Sequence, residues 1–234
     1  MLVVLSSLFD PHVAAGFRHW RAAGVDAKLV TCRDLARPGW RLTLDDAPTL
    51  VIDGQRVAAG QLRGVITRLA WVTSPELPFV REQDRDYAAA EMQAFLLALL
   101  TQLECPVVNR ATPGCLAGPG WSSAAWTALA AATGLEVQPL VQRAFAGGTL
   151  VNRPAPPERR VVHVICDQVL GDVPRDFQDA ARAVAKAAGC DLLRVAFVAK
   201  VRSPVFVDAD PFVDLSERAV ALAVAERLAP EGRR

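Results

Sequence analysis

Hydrophobic residues recur along the chain at two spacings, and their order predicts strands alternating with helices. Val3 to Leu5 is an apolar strand, and the segment Asp10 to Ala23 then sets Val13, Phe17 and Trp20 on one helical stripe that Gly24 stops. Val25 to Thr31 reads as a second strand. Arg41 to Ala58 alternates about Asp45-Asp46 and Asp53-Gly54 as two short hairpin strands do, and Val65 to Val72, with Ile66, Leu69 and Trp71, gives another strand. Pro75 and Pro78 break the chain before its longest predicted helix, Glu82 to Leu103, with Tyr87, Met92, Phe95, Leu96, Leu99 and Leu103 inward. Pro106 to Val108 is a short strand, Ala111 to Gly120 is a loop by its Pro and Gly content, and Ser122 or Ser123 caps an alanine-rich helix that Gly134 closes.

The second half repeats this grammar on a smaller scale. Phe145 to Arg160 carries Gly147-Gly148, Pro154, Pro156 and Pro157 and reads as a connector. Val161 to Cys166 is a strand, Arg175 to Ala188 a helix with Phe177, Ala181 and Val184 on one side, and Leu193 to Ala199 and Pro204 to Val207 are strands. Leu215 to Leu228 is a closing helix entered through Asp214, and Pro230 to Arg234 is a tail. The expected class is α/β, with domains at 1–140, a connector at 141–160, and a second lobe at 161–234.

Composition narrows the function classes. The chain has 234 residues, 52% of them hydrophobic, with 26 basic against 25 acidic residues. Charges so nearly balanced create no field for nucleic acid or an anionic membrane. No signal sequence and no run of about 18 apolar residues is present, so a cytoplasmic protein is expected. Cys32, Cys105, Cys115, Cys166 and Cys190 lack paired spacings, which favours buried reduced thiols over zinc or disulfides. Of the 26 basic residues only Lys28, Lys186 and Lys200 are lysines.

Several stretches, taken in order, resemble the ATP-grasp family, in its branch of RimK-like ligases and microviridin-type (graspetide) peptide maturases. They are Gly64 to Trp71, Ala88 to Leu96, Cys105 to Asn109, Ala128 to Val137, Val161 to Asp167, and Val205 to Pro211. The last is similar to the family strand that holds magnesium. The resemblance implies a pre-ATP-grasp-like N-terminal lobe and a reduced ATP-grasp C-terminal lobe. It also exposes departures. The family's lid subdomain lies where this chain has only Leu140 to Arg160, too short for a sheet of several strands with helices. No lysine falls between Lys28 and Lys186, the loop Gly118 to Ser123 offers none, and no acid lies at Val195-Ala196-Phe197, where the family has its upstream metal carboxylate.

Four residues are candidate ligands. Asp208 and Asp210, two apart on a strand, share a face and are candidate metal ligands; a solvated strand end is the favoured reading. Arg68, near the carboxyl end of its strand, and Arg160, one place early for the family's "RV" arginine, are candidate cofactor-binding residues, Arg68 competing with a structural ion pair. His163 reads as a core residue, and Ser122 and Ser123 as caps. Trp121 and Trp126 read as packing residues, at a subunit interface of a two-fold homodimer. The function expected is a non-catalytic, ATP-grasp-like protein that binds a peptide or partner protein beside a peptide-modifying system, with no cofactor. The alternative is an ATP-dependent carboxylate-amine ligase with an arginine-based nucleotide site, which needs ATP and magnesium. A small-molecule-binding α/β protein unrelated to ligases stays open as a third reading.

Overall fold

The computed structural model describes residues 1–43, 45–139, 158–200 and 203–228. Most of the predicted connector, with Gly147-Gly148, and the tail from Pro230 lie outside these residues. The chain forms two compact units, Met1–Gly120 joined by the stretch from Pro211, and Trp121–Asp210.

The first unit is a parallel sheet with helices. β1 (Leu2–Ser6), β2 (Ala27–Val30), β5 (Gly64–Arg68) and β6 (Val107–Val108) lie in the order β2-β1-β5-β6, all parallel. Both faces of β1 and β5 are buried, which is why their sequences run continuously apolar instead of alternating. α1 (Val13–Ala22) crosses from β1 to β2 and ends near Gly24, whose φ of 74° is the left-handed geometry that glycine adopts without penalty. α2 is a single turn, Cys32–Leu35, and β3 (Thr49–Ile52) pairs with β4 (Gln55–Ala58) as a hairpin through Asp53-Gly54. α3 (Arg85–Gln102) buries Ala89, Leu96, Leu99 and Leu100. Tyr87, expected inward, is 73% exposed, because it lies off the face that Ala89, Leu96, Leu99 and Leu100 bury. β5 stops at Arg68, short of the expected Val72: the Leu116 amide donates to the Ala70 carbonyl and draws the chain out of the sheet. The closing helix α6 (Arg218–Leu228) packs on α1, where the Trp20 indole donates to the Ala221 carbonyl at 2.7 Å.

The second unit is a mixed sheet of β7 (Glu136–Val137), β8 (Arg159–Ile165), β9 (Gln168–Leu170), β10 (Leu192–Lys200) and β11 (Ser203–Asp210), in the order β7-β11-β10-β8-β9. α4 (Ser123–Ala132), capped by the Ser122 hydroxyl, and α5 (Arg175–Ala188), stopped by left-handed Gly189, cover one face. Val162, Val164, Leu193, Val195, Phe197 and Phe206 point toward them, and Phe197 meets Phe177 and Phe206 edge to face. These packings place the division elsewhere than the expected 1–140, 141–160 and 161–234. α4 belongs to the second unit through Trp126 and Ala130, and α6 to the first through α1.

Trp126 is 3% exposed within this core, with its ring 4.8 Å from that of Trp121, which is 41% exposed. A subunit interface built on Trp126 is therefore corrected: its ring is spent inside the unit.

Candidate functional site

In open parallel sheets, ligands bind beyond the carboxyl ends of strands where the chain leaves to opposite sides. Here that point lies between β1 and β5, since β1 leads to β2 on one side and β5 leads to β6 on the other. A cavity of about 420 Å³ opens there, lined by residues that include Ser7, Phe9, Asp10, Trp71, Glu76 and Phe212.

The crevice is built by its own hydrogen bonds. Glu76 sits in a helical turn, Ser74–Glu76, and is 3% exposed. Its carboxylate accepts from the Ser7 hydroxyl and, at 3.1 Å, from the Leu8 amide, while the Phe9 amide donates to Ser7 Oγ at 3.0 Å. These bonds hold the loop after β1 against the turn after β5. Trp71 is 49% exposed, and one edge of its ring lies over Gly120, where an added Cβ would come within 3.2 Å of it. Phe9 is 65% exposed. Behind the turn lies Cys32, whose thiol is pushed up to about 12 by burial and, secondarily, by the Glu76 charge.

Arg68 reaches the crevice and is held there by three hydrogen bonds. Its Nε donates to Asp10 Oδ2 at 2.5 Å, Nη2 to Asp10 Oδ1 at 3.3 Å, and Nη1 to the Val213 carbonyl at 2.8 Å, with the Phe212 ring 5.4 Å from the guanidinium. The side chains of the pair are 4% and 6% exposed. Arg68 thus ties the end of β5 to the loop after β1 and to the start of the closing segment, the ion pair that competed with a ligand role. His12, at the rim, pairs its Nδ1 with Asp214 at 2.8 Å.

In the second unit, Asp208 and Asp210 lie within β11, which runs three residues past the expected end at Val207. A bulge shifts the register, so that Phe206 faces Phe197 and Asp208 faces Ala196. Arg194 on β10 is opposite Asp210, and its Nη2 lies 3.9 Å from Asp208 and 3.8 Å from Asp210. His163, 3% exposed, is the neighbour of Arg194 on β8. Arg160 is on the other face, its guanidinium 5.5 Å from the Phe177 ring. The fold therefore does not bring Arg160 to the two acids. The donor set does not fit a divalent ion: two half-exposed carboxylates already share a guanidinium, whose charge opposes a second cation. Among the described residues no group of three or more His, Cys, Asp or Glu is arranged to hold a metal.

Arg194 and the crevice acids escaped the sequence reading. Nothing along the chain reveals which residue lies across a ladder from Asp210, and Glu76 sits in a proline-broken stretch without periodicity.

No family model matches the sequence, and no curated protein does. Solved structures do match. An ATP-grasp ligase associated with ribosomal peptide modification from Chryseobacterium gregarium, in complex with ADP and a leader and core peptide, superposes with a TM-score of 0.69 at 9% identity, over 100% of this chain and 97% of that one. The macrocyclase MdnC of Microcystis aeruginosa, bound with its precursor peptide MdnA, gives 0.67 at 11% identity, over 99% and 100%. The ATP-grasp ligase PsnB with precursor peptide PsnA2 and AMPPNP gives 0.67 at 15%, over 97% and 98%. The fold is that of ATP-grasp peptide ligases, as the resemblance implied.

Proposed function

We propose that this chain is an ATP-grasp-like protein of a peptide-modifying system that binds a peptide or partner protein without ligating it, and that it needs no nucleotide or metal to do so. The observation that carries the reading is Arg194, which faces Asp208 and Asp210 across the ladder and neutralises part of the charge that would attract magnesium. Acyl-phosphate chemistry needs cationic stabilisation of phosphates in a closed, dry site. The dearth of lysine supports the same reading. The peptide part is supported by the shared fold, since the matching ligases hold precursor or leader and core peptides.

A two-fold dimer in the cytoplasm belongs to this reading. Its support is the arginine-rich composition and the exposed Trp121. No helix among the described residues is long and apolar enough to cross a membrane.

The test is incubation with ATP, magnesium and the peptide encoded beside this gene, read by mass spectrometry and by calorimetry without ATP. The expected result is a bound peptide of unchanged mass. Loss of one water from the peptide, with release of ADP, establishes the ligase instead.

A further inference from the structure

The crevice at the carboxyl edge of the first sheet has a charge that its own residues do not balance. Its acids are Asp10 and Glu76, and its bases Arg68 and His12. Arg68 is matched by Asp10, and His12 faces Asp214. That leaves Glu76, whose partners are two neutral donors, the Ser7 hydroxyl and the Leu8 amide. Among the described residues no Lys or Arg side chain pairs with it. A carboxylate only 3% exposed favours a cation brought to it, because the low-dielectric surroundings strengthen the attraction. The walls suit the same guest: Phe9 and Trp71 present exposed ring surface beside the acid, and aromatic faces attract ammonium groups.

We propose that this crevice seats a lysine side chain of the bound peptide, with Glu76 as charge partner and Phe9 and Trp71 flanking the alkyl stem and ammonium. Lysine is preferred to arginine because the Ser7 hydroxyl and the Leu8 amide already take one acceptor site on each Glu76 oxygen, which leaves fewer sites for the paired bonds of a guanidinium. A compact ammonium needs a single approach to a nearly buried carboxylate. The lysine is an anchor that fixes the register of the peptide, and no bond to it is made or broken. This site names a contact within the peptide-binding reading and rests on it.

The five tryptophans of the chain allow a direct readout, since each gives one indole N–H signal by NMR, and Trp71→Phe identifies that of Trp71. The probes are capped tripeptides Gly-X-Gly with lysine, norleucine or glutamate at X, added to the full chain at millimolar concentration. The expected result is a saturable shift of the Trp71 signal with the lysine peptide alone, weakened about tenfold or more in Glu76→Gln while the Trp20 and Trp40 signals stay in place. Equal shifts with norleucine, a stronger effect with glutamate, no shift with lysine, or unchanged binding to folded Glu76→Gln overturns the proposal. Should Glu76→Gln fail to fold, Phe9→Ala decides, because that exposed ring is not needed for packing: weaker lysine binding upholds the site and unchanged binding refutes it. ATP turnover would defeat the non-catalytic reading and leave this site standing, whereas loss of lysine selectivity defeats the site and leaves that reading untouched.

Discussion

Replacing Arg68 by methionine removes the cation at the centre of the first unit and tests what that residue is for. The change keeps the length of the side chain but strands Asp10, only 6% exposed, and leaves the Val213 carbonyl without its 2.8 Å donor. Breaking one side of a buried ion pair costs about 3–5 kcal/mol. With a urea slope of about 2 kcal/mol per molar, that lowers the unfolding midpoint by about 2 M. Urea titrations followed together by far-UV dichroism and tryptophan emission would measure it. Asp10→Asn combined with Arg68→Met should cost less than the two changes summed, by about 0.5–3 kcal/mol, because neither partner is then left charged alone. A single-variant cost below about 1 kcal/mol, or simple additivity, would show the pair to be solvated. The arginine would then be open to a ligand, and its role as a structural tie would be refuted.

Other consequences follow from particular contacts. Arg194→Asp should give the second unit three carboxylates on one face and a melting temperature that rises with magnesium or manganese, whereas the parent and an Asp208→Asn, Asp210→Asn variant should show no such rise; thermal-shift titration decides. Trp126→Glu should unfold the second unit, at a cost of about 3–5 kcal/mol, rather than dissociate a dimer, because its ring is 3% exposed; dichroism with light scattering separates the two. Cys32 and Cys190 are pushed up from 9.0 to about 12, chiefly by burial, so the folded chain keeps protons that the unfolded chain loses. The stability tied to them is complete below about pH 9 and falls as pH rises toward 12, where urea midpoints should decline, less so in a Cys32→Ala, Cys190→Ala variant.

Helices and their stops were legible because amphipathic spacing and a following glycine are local signals: Gly24 and Gly134, read as stops, adopt positive φ where a helix ends, and Gly189 does the same after α5. α5 falls on the predicted residues, since Phe177, Ala181 and Val184 leave one side apolar and the rest charged. What failed depended on partners. β7 and β9, at two and three residues, are too short to carry a period and exist by pairing with β11 and β8. β11 runs on through Asp208 and Asp210 because β10 offers a long ladder and Arg194 stands opposite, neither of which is written near those acids. The bulge also could not be foreseen from alternation. In the crevice, Asp10 read as the start of a helix and Glu76 as part of a break; only the sheet order sets them around one cavity.

The central proposal is that this ATP-grasp-like fold binds its peptide without nucleotide, and titration of ATP with magnesium into the full chain by calorimetry tests it most directly. The predicted result is no saturable heat at micromolar ATP and no rise in melting temperature beyond that produced by magnesium alone. Saturable micromolar binding, lost when Arg160 is replaced by alanine, would contradict it and restore an arginine-based nucleotide site.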